Sequence, residues 1–187
     1  GYTPDDAYNS IMFQNANLSV RVTDEFMEAV DKDGKWTVRN DVTYWETRIA
    51  SEGGSGGPLS TTSNGKFIGP EVPFGYVMGT YHEEPVLVIE SSMGNRALSF
   101  DFRPPSSGKS EEEKANEWCG KEYDLMVEGV HNTLKNSDKM VPDYQGRGYE
   151  IVGFVWWQGH KDKDVPKDVY EKHLVNLIQD LRKEFKA

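Results

Sequence analysis

The sequence predicts an α/β fold with a mainly parallel sheet, on three observations. The run 151–157 (IVGFVWW) is apolar on both faces, as a strand in the middle of a parallel sheet must be. A second apolar run, 86–89, follows a helical pattern over 70–81. Behind the first run, from near Pro166, Val169, Tyr170, His173, Leu174, Leu177, Ile178, Leu181 and Phe185 recur on one side of an amphipathic helix. Helix, strand, helix, strand, helix in that order implies parallel βαβ units with right-handed crossovers. Two strands are few for such a sheet, so an incomplete sheet is expected.

In chain order, Thr23 with Asp24 and Glu25 starts a helix: the hydroxyl caps orphan amides and the acids face the positive end of the dipole. Phe26, Met27, Ala29 and Val30 form its apolar face, and Asp33-Gly34 stops it. Val38, Val42 and Tyr44 suggest short extended segments, and SEGGSGG at 51–57 reads as a loop without packing capacity. In the 70–81 helix, Val72, Phe74, Val77, Met78 and Tyr81 carry the helical spacing despite Gly75 and Gly79. DFRPPSSG at 101–108 is rigid turn and loop. One long helix is expected from Ser110, with Trp118, Tyr123, Met126, Val127, Val130 and Leu134 as its buried stripe.

The 187 residues suffice for one domain with a proper core. A formal charge of −10 argues against nucleic acid or an anionic membrane as partner, since either needs a basic patch. No run approaches the ~18 apolar residues of a membrane span, and no charged-then-apolar leader is read within these residues. The lone Cys119 has no internal disulfide partner and sits in no thiolate-activating pattern.

In an open α/β sheet, ligands collect at the carboxyl ends of the strands. The candidate site is therefore the pair of strand exits at 91–96 and 158–162. Gly94, Asn95, Gln158 and Gly159 are the residue types for oxyanion or substrate contacts, because glycines admit backbone amides and a side-chain amide adds a donor. His160 and Asp162 are the candidate catalytic base and its orienter, with a solvated turn capping the last helix as the alternative reading. The nucleophile is unassigned; Ser91 and Ser92 stand at the first exit. His173 reads as a core or boundary histidine. His82 and His131 have no ligand pattern around them, so neither metal nor cofactor is expected.

Five blocks carry a resemblance: DGKWTVRNDV at 33–42, FIGPEVPFGYVMG at 67–79, EPVLVIESSMGNRAL at 84–98, DFRPPSSG at 101–108 and YEIVGFVWWQGHKD at 149–162. In these blocks residues 35–187 resemble the sialate O-acetylesterase-like carbohydrate esterases of the SGNH hydrolase group. The resemblance implies a three-layer α/β/α fold, a serine nucleophile, acetylated carbohydrate as partner, and a periplasmic or secreted location. It also places Gly94 in the second oxyanion block. The sequence departs from the family where chemistry is concentrated. The family's Gly-Gln-Ser-Asn-Met block has no counterpart, the nearest text being MFQNANLS at 12–19. Lys161 stands where the oxyanion-hole asparagine belongs, and the chain reaches Ala187 before the family's histidine block. An acetylesterase-like domain with impaired hydrolysis is therefore expected, with a non-catalytic carbohydrate-binding module as the alternative. Residues 8–30 instead resemble a segment of adenosylcobalamin-dependent ribonucleotide reductases, so 1–34 is expected to be an extension of different origin, and a reductase fragment is the third reading. The missing strand predicts that residues 8–22 replace it or that the chain self-associates through an unpaired sheet edge.

Overall fold

The computed structural model describes residues 31–33, 35–47, 54–61, 69–142 and 144–186. The expected helix after Thr23, the lead-in at 8–22 and residues 51–53 of the Gly/Ser stretch lie outside these residues. The chain forms two units, Gly1–Thr47 with Gly53–Glu90 and Thr133–Gly146, and Arg48–Glu52 with Ser91–Asn132 and Arg147–Ala187.

The first unit holds three strands, β1 (Arg39–Glu46), β2 (Ser55–Leu59) and β3 (Val86–Glu90), in the order β2-β1-β3. β1 pairs parallel with β3, Tyr44 opposite Val88, and antiparallel with β2, Tyr44 opposite Gly57. The described sheet is thus mixed rather than mainly parallel. A short connection permits only the antiparallel β1–β2 pairing, whereas the parallel pair needs the crossover that helix α1 (Glu71–Tyr81) supplies. The expected helix at 70–81 and strand at 86–89 are both present. Part of the supposed loop, 55–57, is strand instead, because glycines there ride against β1.

The core of this unit is Val42, Tyr44, Leu59, Val72 and Tyr76, with Trp36, Val86 and Val88 against it. Tyr44 donates from Oη to Glu90 Oε2 at 2.6 Å. Burial, reinforced by that carboxylate, pushes its phenol well above the ordinary range. The two glycines of α1, which weaken its helix propensity, lie on its buried face with Val72 and Tyr76. A Cβ at Gly79 would collide with Val42 Cγ2 and lie 2.8 Å from Arg39 Nη2; one at Gly75 would collide with Leu59 Cδ2. Gly79→Ala is expected to lower stability by about 1 kcal/mol, because overpacking against a β-branched core residue outweighs the gain in helix propensity. Urea unfolding measures it; a stabilised variant would show that α1 does not sit this close to β1.

The second unit is mainly helical. Helix α2 (Glu111–Lys114) is one turn closed by a capping box: Ser110 Oγ accepts from Glu113 N, and Glu113 Oε2 accepts from Ser110 N. Helix α3 (Lys121–Lys135) follows, and its residues from Thr133 belong to the first unit with α4 (Ser137–Met140). The single long helix expected from Ser110 is therefore broken. The first turn ends at Lys114 with Ala115 as its C-cap, and Gly120, at a left-handed φ of 77°, donates its N–H to Phe100 O at 2.8 Å just before α3 starts. Helix α5 (Lys167–Phe185) closes the unit. Its core joins Leu98, Phe102, Tyr123, Met126, Leu177 and Leu181, with Val127, Trp156, Tyr170, Leu174 and Phe185 packed on them.

The run 151–157, expected as a buried central strand, is outside any sheet and mostly exposed. An apolar run becomes a central strand only where neighbours pair with both its edges, and none of its backbone does so among the described residues. Trp156 docks its indole edge-on to Phe102, 5.4 Å between centroids.

Candidate functional site

Both strand-exit segments fall in the second unit, and a buried carboxylate joins them. After the Gln158-Gly159 step, a turn of 3-10 helix at His160–Asp162 carries Asp162 inward, with Asp162 N donating to Gly159 O at 3.0 Å. Asp162 Oδ2 accepts from Leu98 N at 2.7 Å and from Gln158 Nε2 at 2.6 Å, while Oδ1 accepts from Ser99 N at 3.0 Å. Burial opposes the charged form, but hydrogen bonds from Ser99, Gln158 and Leu98 outweigh it and hold the carboxyl below the usual range. Gln158 Nε2 also donates to Arg96 O at 2.9 Å. Tyr170 Oη lies 3.0 Å from Gln158 O and 3.2 Å from Gln158 Oε1, and accepts from Trp156 Nε1 at 3.3 Å. Trp156, Tyr170, Gln158, Asp162 and the backbone of 96–99 thus form one network.

Of the candidate residues, Gln158 and Asp162 are in this network. Gly94 and Asn95 form an exposed turn, Asn95 at a left-handed φ of 61°, and a Cβ on Gly94 or Gly159 would meet nothing within 4 Å. His160 is exposed, and among the described residues its ring makes no hydrogen bond or ion pair. The structure therefore brings Gln158 and Asp162 together and leaves His160 apart.

The 96–108 segment is pinned from several directions. Arg96 Nε donates to the buried Glu122 Oε1 at 2.6 Å and lies 3.8 Å from Asp101 Oδ1, whose partner oxygen accepts from Ala97 N at 2.8 Å. Arg103 donates from Nε to Ser99 O at 2.7 Å, from Nη1 to Gly108 O at 3.2 Å, and pairs with Glu113 at 2.8 Å. Ser106 N donates to Asp180 Oδ2 at 2.9 Å.

A serine–histidine hydrogen bond does occur among the described residues, at Ser107 rather than at Ser91 or Ser92. Ser107 Oγ lies 2.8 Å from His173 Nδ1 and accepts from Asn176 Nδ2 at 3.0 Å. Ser107 Oγ keeps its own proton and a second lone pair beside the Asn176 bond, so the direction of the Ser107–His173 bond follows the tautomer of the ring. Burial, with Arg103 and Lys172 adding repulsion, lowers the His173 pKa and keeps the ring neutral. Tyr170, His173, Asn176 and Asp180 were legible only as a polar line at helical spacing among the apolar residues of α5. What His173, Asn176 and Asp180 meet, the Ser106-Ser107 turn, lies over 60 residues away.

His131 pairs with Glu184 at 2.7 Å. Among the described residues no group of three or more His, Cys, Asp or Glu is placed to hold a metal, and no helix is long and apolar enough to cross a membrane.

A family model described as carbohydrate esterase, sialic acid-specific acetylesterase, matches residues 25–187. Over 34 residues, 18% of the chain, the sequence is 59% identical to the vitamin B12-dependent ribonucleotide reductase of Rhodopirellula baltica, and it covers 3% of that protein's length. No solved structure matches.

Proposed function

The chain belongs to the sialic acid-specific acetylesterase family of carbohydrate esterases, and we propose that it is an O-acetylesterase-like domain for acetylated sugars whose hydrolysis is impaired. The three-layer α/β/α arrangement of the SGNH group belongs to the same proposal. The observation that carries impairment is the commitment of Asp162. A hydrolytic carboxylate must orient a histidine, which in turn must take the nucleophile's proton. Both oxygens of Asp162 already accept N–H donors from Leu98, Ser99 and Gln158, and His160 is not among its partners. Gln158 Nε2, the side-chain donor suited to an oxyanion, faces Arg96 O and Asp162 instead. Gly94, Asn95 and Gly159 remain open at the surface and supply walls for a ligand.

Hydrolysis of p-nitrophenyl acetate is expected to stay at the buffer rate, and calorimetric titration with an O-acetylated sugar to give heat without acetate release. Turnover that disappears in Ser107→Ala while the fold persists would overturn the impaired reading and make Ser107 and His173 a working nucleophile and base.

A further inference from the structure

We propose that His173 is an acid-sensitive latch: uncharged, it ties the 3-10 turn Pro105–Ser107 to α5, and on taking up a proton it lets that turn go. Histidine is the side chain whose charge changes most readily between about pH 5 and 8. Of the four in this chain, His131 and His160 are exposed, His82 is partly so, and His173 alone is buried, at 6% exposed. Side chains of one stripe of α5 dock the turn. Ser107 Oγ lies 2.8 Å from His173 Nδ1 and accepts from Asn176 Nδ2, and Asp180 accepts from Ser106 N. Within the turn, Ser107 N donates to Pro104 O at 3.0 Å and Gly108 N to Pro105 O at 3.1 Å. Arg103 joins it to the Asp162 anchor, donating to Gly108 O and to Ser99 O.

The carboxylates around the ring are already engaged. Arg103 and Lys172 face the ring with like charge, Asp162 and Glu113 with opposite charge. Asp162 accepts from Leu98 N, Ser99 N and Gln158 Nε2, and Glu113 from Ser110 N and its ion-pair partner Arg103. Asp180, further along α5, is held by Ser106. All of these groups lie in the second unit. Both nitrogens donate in a charged ring, so Ser107 Oγ then faces Nδ1–H and Asn176 Nδ2 together. Opening the turn hydrates the ring and relieves the cost of burying its charge. Burial, then Arg103 and Lys172, hold the folded ring below the ordinary imidazole value, so the closed turn binds fewer protons than the open one. The tie is therefore whole above about pH 6.5 and is lost as pH falls from there through the lowered native value. Asp162 loses its charge only below about pH 4, which separates the two steps.

NMR titration of the full chain between about pH 7.5 and pH 5 tests the latch. The His173 ring is expected to titrate below about 6.5. The Ser107 and Gly108 amides are expected to follow it with the same midpoint, exchanging at least threefold faster at the acid end once intrinsic rates are divided out. The amide of Leu177, a core residue of α5, is expected to stay protected throughout, which makes the opening local. In His173→Gln, which keeps a hydrogen-bonding side chain without a titrating one, the turn amides are expected to lose their pH dependence. A ring that titrates at or above about 6.5, turn amides that do not follow it, the same response in His173→Gln, or a Leu177 amide that opens in step with the turn would each overturn the proposal. The ring is titrated in the unaltered chain, so that arm decides even if the variant fails to fold.

Discussion

Replacing Asp162 with alanine is expected to destabilise the second unit by about 3 kcal/mol, the largest effect of any substitution considered for this chain. The side chain is almost fully buried, and its charge is met by two backbone amides and the Gln158 amide. Hydrogen bonds to a charged acceptor are individually strong, and their loss strands Leu98 N and Ser99 N away from water. The pH dependence has a definite sign. Asp162 titrates lower in the folded chain than an unfolded aspartate, at about 3.9, so its contribution is present in full above about pH 4. It is lost as pH falls through the depressed native value. Chemical denaturation of both proteins at pH 7 and pH 3 should show the gap narrowing at the lower pH; a gap that widens would contradict the assignment.

Removing the guanidinium in Arg96→Ala is expected to cost about 2 kcal/mol. Glu122 is 3% exposed and receives Arg96 Nε at 2.6 Å, so the variant leaves a buried carboxylate without its cation. Unpairing a fully buried ion pair costs more, roughly 3–5 kcal/mol. Here Arg96 is itself 31% exposed, and water entering its place moderates the loss. The double variant Arg96→Ala with Glu122→Gln should recover part of the stability, because the stranded charge is removed with its partner. Thermal unfolding of the four proteins of this cycle measures the coupling, and strict additivity would show that the pair is not a unit.

The parts of the fold legible in the sequence are those fixed by local pattern. Helices α1 and α5 follow from residue spacing, and β3 from a short apolar run between turn signals. The break between Lys114 and Lys121 was not legible, because an apolar stripe continued through Trp118 to Leu134 while backbone hydrogen bonds from Gly120 N to Phe100 O and from Glu122 N to Asp101 O hold the restart. Trp118, assigned to that stripe, is instead 49% exposed. The run 151–157 shows the limit most clearly. Its apolar character on both faces is real, but periodicity describes what a segment needs, and only tertiary partners decide whether it is met. At the site, the sequence singled out Gln158 and Asp162 by their place after an apolar run. Their connection to Leu98 and Ser99, more than 60 residues earlier, depends on backbone amides that carry no residue-specific signal.

Amide hydrogen exchange at Leu98 and Ser99 tests most directly whether Asp162 serves as an anchor rather than as one half of a catalytic pair with His160. Both amides are expected to be protected in the native chain and in His160→Ala, and to exchange at least tenfold faster in Asp162→Ala. Amides that already exchange as open loop positions in the native chain, or that are indifferent to Asp162→Ala, would contradict the account.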